Sequence, residues 1–515
     1  MISSEKALHG GTLSPSGKIA TILLLLAPAV VVGVLTYAGH DASLALLVAI
    51  ALAMGTMLFV RAEATTVVVF FVLYANLSVV AIRTYNVPEI VAASFFLLLG
   101  LPFVNYVFVR RQKIVTNRIF FLMVIYLGVI LVSAAFSSDA QSSVSRLLSL
   151  VLEGLALYFL VINAVRTHEM VRWGIWAIIL AGAFMGSVSL YQELSGDYDN
   201  DFGGLAKVKE SEVDTGEVDE FGKEIKRRRL AGTIGSKNFY AQVMVVLLPI
   251  AMMRIWAERS RLMRLLALLA CVPIISGALL TFSRGAGIAI MVTFLAMLLL
   301  LIIKPWQFIT IIIIGYIGVI AILPEYIYRI STIADLETIR SGNVAEATSS
   351  FRSRSNVSLA TFNIFLDNPL LGVGPGQTNQ YTTQYGNEVG TYYRSIERTR
   401  RAHNMYLEEL ADTGIIGFAL FISIPLITMY QLWHARHYWS SRRRPDIAYT
   451  AAGFFLAIVA YLATAFFLHL SYVRYYWFIL AFAAAFIRIY NMQEQIDTED
   501  VSRIESTSYK LSPSK

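Results

Sequence analysis

The chain has a single cysteine among its 515 residues. It is Cys271, inside an apolar block, so neither a disulfide framework nor a cysteine-based metal site is available. Charge is scarce as well: 15% of the residues are charged against 57% hydrophobic. With a mean hydropathy of +0.62, that balance excludes a soluble globular chain of this length. The formal charge of +7 does not point to nucleic acid, because the basic residues lie mostly in short breaks between apolar blocks, where membrane orientation accounts for them. No internal repeat is visible, and repeats are frequent in multispan transporters.

Long apolar runs dominate what is there. They last about 18 to 25 residues, the length a helix needs to cross roughly 30 Å of hydrocarbon, whereas barrel strands would be shorter and alternating. The reading is an all-α polytopic membrane protein with about 12–14 spans. Candidate spans lie near 19–38, 42–60, 64–82, 88–109, 119–136, 144–165, 171–194, 232–254, 262–281, 286–303, 306–323, 405–431, 447–468 and 473–490. Only Thr281 to Gly285 interrupts the run between 262 and 303. The positive-inside rule supports a turn there. With a cytoplasmic N-terminus, the even-numbered loops collect Arg110, Arg111, Lys113, Arg118, Arg254, Arg259, Arg261, Arg264 and Arg442 to Arg444, while the short odd-numbered loops hold little beyond Arg83, Arg284 and Arg474. The polar segment 1–18 reads as a cytoplasmic tail rather than a cleaved signal. The bundle 19–194 is followed by an outer loop at 195–231, central spans at 232–323, a large outer loop at 324–404, and C-terminal spans at 405–490. A disordered cytoplasmic tail is expected over 491–515.

The two long outer loops carry most of the unusual residues. Loop 195–231 ends in Lys226-Arg227-Arg228-Arg229, a basic cluster on the side that the charge rule leaves poor; it reads equally as a substrate-binding cluster and as a solvated charge run. Asp197, Asp199 and Asp201 resemble the start of a calcium loop, but Phe202 and Val208 stand where its glycine and glutamate belong. In loop 324–404, Phe351 to Leu366 reads as an amphipathic helix on the membrane surface, ended by Pro369. Gly372 to Gly376 is a tight turn without the context of a cofactor loop. Tyr381, Tyr385, Tyr392 and Tyr393 offer faces for sugar rings, though interfacial tyrosines are common.

Span parity puts Arg229 with Asn238, Arg284, and Arg352 through His403 on one face. Several arginines with one histidine and no acidic metal cluster suit an anionic substrate presented from the lipid, since guanidinium groups match phosphate oxygens in a bidentate way. His403 precedes Asn404, a helix-capping residue at the start of an apolar helix. The positive end of that helix disfavours imidazolium and keeps the ring able to accept a proton. Glu408 or Glu409 would orient the histidine or cap the helix. The competing readings are an interfacial histidine and, for Arg284, a snorkelling anchor. Gly414 and Gly417 suit close helix packing.

Four segments then resemble the bacterial O-antigen ligase and O-antigen polymerase superfamily: GTIGSKNFYAQVMVVLLP (Gly232 to Pro249), TFSRGAGIAI (Thr281 to Ile290), FRSRSNVSLATFNIFLDNPLLGVGPG (Phe351 to Gly376) and HNMYLEELADTGIIG (His403 to Gly417). The resemblance covers roughly Arg229 to Phe418 and implies a GT-C-like fold in the bacterial inner membrane, both termini cytoplasmic and the active site periplasmic. It implies a metal-independent glycosyltransferase without cofactor, taking an undecaprenyl-diphosphate-linked glycan as donor and a glycan or lipid A-core as acceptor. His403 would be the general base; Arg284, Arg354 and Arg229 would hold the diphosphate; Asn404, Asn238 and Glu408 would support them. A protein O-oligosaccharyltransferase is the alternative within the family. A transporter or flippase of lipid-linked glycans is the alternative outside it, although Glu153 is the main charge found inside a span.

Overall fold

A computed structural model describes residues 61–87, 94–218, 224–322, 347–389, 401–470 and 473–510. The spans expected near 19–38 and 42–60 lie outside the described residues. The described chain is a helical bundle with one β-hairpin. In chain order the helices are α1 (Ala62–Tyr74), α2 (Leu77–Tyr85), α3 (Leu97–Val109), α4 (Arg118–Ala135), α5 (Ala140–Ala164) and α6 (His168–Ser195). After the hairpin come α7 (Lys237–Ala257), α8 (Arg261–Leu279), α9 (Arg284–Leu299), α10 (Pro305–Ile322), α11 (Ala347–Asp367), α12 (Thr378–Val389), α13 (Met405–Ser441), α14 (Pro445–Ala465) and α15 (Val473–Lys510). Among the described residues, eight helices are long and apolar enough to cross a membrane, or nine if α1 and α2, bent by 57°, form one broken span. This is a multi-pass membrane protein.

The helices sort by what surrounds them. In the most apolar windows of α7 and α15, 89% of residues are buried in the protein, against 28% in α4 and α8. The first pair therefore forms the inner layer, and the second turns most of its apolar surface outward, as lipid requires. Small residues let neighbouring helices approach: a Cβ on Gly186 of α6 would lie 2.0 Å from the Pro273 carbonyl oxygen of α8. The α1–α2 break falls at Asn76, which has a left-handed backbone (φ 62°). Its side chain is spent on distant partners, donating to the Thr233 carbonyl at 2.8 Å and accepting from Arg474.

The hairpin, β1 (Lys207–Val218) and β2 (Glu224–Gly232), is antiparallel and pairs Lys207 with Gly232 and Lys209 with Arg229. It occupies the segment read from sequence as a loop, and it turns the basic run Lys226 to Arg229 into one strand. Leu230 at its base is fully buried with Leu280 and Phe282 of the α8–α9 turn, and the Leu230 amide donates to the Leu280 carbonyl at 3.2 Å. The hairpin is thereby seated on the tight turn expected at Thr281 to Gly285.

The opposite end of the bundle is closed by charge. Glu258, which follows α7, is 3% exposed and accepts from Arg172 (2.9 Å), Trp176 (2.8 Å) and Arg254. Burial alone would raise its carboxyl group, but Arg172, Arg254 and Trp176 outweigh that and hold it at about 2. A folded value below the unfolded 4.5 means that its contribution to stability is complete above the unfolded value and is lost as pH falls toward the folded one. Glu258→Gln is therefore expected to lower the thermal midpoint at pH 7, with the gap to the native protein closing as pH drops from 4.5 toward about 2. Equal midpoints at pH 7 would refute it.

Candidate active site

At the other end of the bundle, α13 begins as its sequence demands. Asn404 caps it, its side-chain oxygen accepting from the amides of Tyr406 (3.0 Å) and Leu407 (3.2 Å). His403, one residue earlier, is half-buried and sits in the left-handed region at φ 49°, where non-glycine residues are uncommon. Arg401 donates to Glu408 at 2.7 Å, with Glu408 only 4% exposed. Of the two expected supporting glutamates, Glu408 thus takes an arginine, while Glu409 accepts from the Tyr126 hydroxyl of α4.

A second histidine meets the first. The ring of His469, in the connection between α14 and α15, lies 5.3 Å from the His403 ring at 54°. Phe239 of α7 also packs against the His469 ring, edge-on at 5.3 Å. Burial, then Arg401, His403 and Arg146, push the His469 imidazole down to about 2, so it is neutral at physiological pH. The same connection touches the other expected parts of the site. Phe467 packs where a Cβ on Gly285 would lie, 3.0 Å away, directly after Arg284 at the start of α9. Phe466 packs against Tyr406 at 4.6 Å with the rings tilted by 46°, and Arg146 of α5 donates to the Leu470 carbonyl at 2.7 Å.

Arg229 and Asn238 belong to this neighbourhood through the α8–α9 turn. The Arg229 side chain is 7% exposed and donates to the carbonyls of Thr281 (2.6 Å) and Phe282 (3.2 Å), and to Asn238 Oδ1 (3.3 Å). It holds the turn that presents Ser283 and Arg284. Arg354 lies on α11, one turn before Val357, and Val357 is buried against Ala402, next to His403. The helix expected over Phe351 to Leu366 is α11, ending at Asp367 before Pro369. Tyr381 and Tyr385 lie on α12 and donate to Ser138 (3.2 Å) and Asp367 (2.7 Å); Tyr392 and Tyr393 are outside the described residues.

Behind the histidines is a polar network that sequence reading missed. α13 is broken at Gly414 (φ 65°, ψ −172°), and the loop 369–376 is laid across the break. The amides of Val373 and Gly374 donate to the Ala411 and Asp412 carbonyls at 2.9 and 3.0 Å, and the Ile415 amide donates to the Pro369 carbonyl at 2.8 Å. Asp412, 2% exposed, accepts from the Gly376 amide (2.8 Å), the Thr378 amide (3.0 Å) and the Thr378 hydroxyl (2.6 Å). Gln377 reaches the Asp139 carbonyl at 2.7 Å, tying the loop to the α4–α5 turn. Tyr126, Arg146, Pro375, Glu409, Asp412 and Leu470 line a cavity of about 20 Å³, room for one water. The GVGPG glycines thus serve a backbone splice. The signal for His469 was span parity: the break between the last two spans is odd-numbered and falls on the face already marked by Arg284 and His403.

No group of three or more His, Cys, Asp or Glu among the described residues is arranged to hold a metal ion. The fold and the site define a polytopic membrane protein in which His403, His469 and several arginines gather at one end of a helical bundle. Residues 269–422 match the family described as O-antigen ligase, and this match supports a relationship of that segment to the O-antigen ligase and polymerase superfamily. The matched segment is under a third of the chain; it includes Arg284, Arg354, His403 and Gly414 and excludes Arg229, Asn238 and His469. No curated protein matches the chain. That family implies glycosyl transfer in general, from a lipid-linked glycan to a glycan acceptor.

Proposed function

We propose that the chain is a bacterial inner-membrane glycosyltransferase that takes a glycan from an undecaprenyl-diphosphate-linked donor. In this reading it joins that glycan at the periplasmic face to another glycan or to a lipid A-core sugar, as an O-antigen polymerase or ligase. His403 accepts the proton of the acceptor hydroxyl, whose oxygen attacks the anomeric carbon while the bond to the diphosphate breaks. Arg284 and Arg354 hold the diphosphate and stabilise the charge that develops on it, and Arg229 fixes the turn carrying Arg284. The scaffold is GT-C-like, both termini face the cytoplasm, and the reaction needs no metal.

One observation carries the reading. Four segments far apart in sequence, at Asn238, Arg284, Ala402 to Asn404 and Phe466 to Leu470, meet at one end of the bundle, with α11 bringing Arg354 alongside. Arginines on segments that meet the one bearing a half-buried histidine suit an anionic leaving group and a proton acceptor. The rival reading, transport of a lipid-linked glycan, draws on the breaks at Asn76 and Gly414, since discontinuous helices are common in transporters. At Gly414, however, the freed backbone groups are occupied by loop 369–376.

The test is reconstitution of the full chain in vesicles with lipid-linked repeats, first alone and then with a lipid A-core acceptor, with and without EDTA. Release of polyprenyl diphosphate at a rate EDTA does not change is the expected result. Chain growth without a second acceptor identifies a polymerase, and growth only on the lipid A-core a ligase. Movement of the intact donor across the vesicle membrane with no new glycosidic bond would replace this reading with transport.

A further inference from the structure

His469 is not explained as a core residue. It lies on the face that holds His403, its ring packs against both His403 and Phe239, and its Nδ1 is buried without a hydrogen-bond partner. A buried ring nitrogen of a structural histidine is normally satisfied, because leaving it bare carries the full penalty of desolvation. The surroundings also fix its charge. Arg401, which precedes α13, His403 itself and Arg146 from α5 act on it, while Glu408 is committed to Arg401. A second cation is disfavoured there, and in the Nε2–H tautomer of the neutral ring the idle Nδ1 offers a lone pair. The connection bearing it is held at several points: Arg146 on the Leu470 carbonyl, Phe466 on Tyr406, Phe467 against Gly285, and, from the end of α14, the Leu462 carbonyl accepting from the Tyr406 hydroxyl at 2.7 Å. A ring so anchored is a fixed reference for its neighbour.

We propose that His469 is a positioning residue for His403: its anchored ring stations the His403 imidazole, and its Nδ1 accepts a hydrogen bond from His403 once that ring has taken up a proton. Ring centroids 5.3 Å apart allow facing nitrogens to approach to about 3 Å, a normal hydrogen-bond distance. This rests on the reading of His403 as the base. In the transfer step the acceptor hydroxyl gives its proton to His403, the oxygen's electron pair forms the glycosidic bond, and the electrons of the broken bond leave on the diphosphate. The positive charge then stays on His403, shared through a hydrogen bond with a neutral neighbour. His403 itself holds a left-handed backbone, so its side-chain direction depends on such packing.

Two readouts on the full chain separate this proposal from the reading beneath it. The first is the pH midpoint for carbethoxylation of His403 by diethyl pyrocarbonate, followed by peptide mass spectrometry, which requires no turnover. His469→Phe keeps the ring and loses the acceptor, His469→Gln moves its amide away from the Nδ1 position, and His469→Asn leaves an oxygen near it. The midpoint is expected to fall by about half a pH unit, a threefold change in the protonation equilibrium, in the Phe and Gln variants and to return in the Asn variant. The second is glycosyl transfer, where the Phe and Gln variants are expected to lose about tenfold in kcat with KM changed by less than about twofold. A single midpoint across all four proteins overturns the pairing, whether or not the chain transfers sugar. A shifted midpoint in a native protein that transfers nothing overturns the glycosyltransferase reading and leaves the pairing standing.

Discussion

Replacing His403 with alanine is expected to lower the rate of glycosyl transfer by about 10²- to 10⁴-fold, the range for loss of a general base. Donor binding should change far less, because the arginines that would grip the diphosphate stay in place. The alanine variant has one confounding feature. His403 sits at φ 49°, a conformation in which alanine is strained and asparagine is comparatively at ease. His403→Asn is the cleaner partner, since it preserves the left-handed turn into the Asn404 cap and removes the basic imidazole. Both variants should accumulate lipid-linked glycan in cells and yield little finished polysaccharide. Normal polysaccharide at normal protein level in both would remove His403 from the chemistry. A loss confined to the alanine variant would mean that the backbone, and not the ring, was what mattered.

The parts of the fold that were legible are those the bilayer dictates residue by residue. A crossing needs an uninterrupted apolar run, so the expectations near 119–136 and 262–281 coincide with α4 at Arg118–Ala135 and α8 at Arg261–Leu279. The break at Thr281 to Gly285 is the turn between α8 and α9. Caps are equally local, and Asn404 caps α13 through its own next residues. The hairpin was hidden because its strands are charged and lack the apolar alternation that marks a half-buried strand. His469 was passed over because a lone histidine at a span end looks like an interfacial anchor; its meaning comes from Phe239 and His403, which lie far away in sequence. The Arg146, Glu409 and Asp412 network was invisible for the same reason. Arg146 falls at the start of the expected span 144–165, and its partner appears only when α5 packs against the connection at Leu470.

The break in α13 is the clearest case of a feature that local sequence cannot show, and it carries the largest expected effect on stability. Gly417 sits within helical backbone, but Gly414 has φ 65° and ψ −172°, a region essentially closed to any residue with a Cβ. The partner of the break arrives from the loop 369–376. A Cβ at Gly414 would lie 2.3 Å from the Leu370 carbonyl carbon and oxygen, both backbone atoms that cannot step aside alone. Gly414→Val therefore combines backbone strain of about 1–3 kcal/mol with overpacking of about 1–3 kcal/mol. To relieve it the loop must lift, surrendering the bonds from Val373, Gly374 and Ile415 and drawing Gly376 and Thr378 off the buried Asp412. That carboxylate would then be left beside Glu409 with fewer donors, in a site with room for about one water. The expected outcome is a protein that fails to accumulate, or melts well below the native chain in detergent. Gly128→Ala is the control: a Cβ there meets nothing within 4 Å, it lies on helical α4, and alanine is the better helix former, so its midpoint should match or exceed the native one. Should Gly414→Val accumulate and melt like Gly128→Ala, the splice between loop 369–376 and α13 would not be what holds this end of the bundle together.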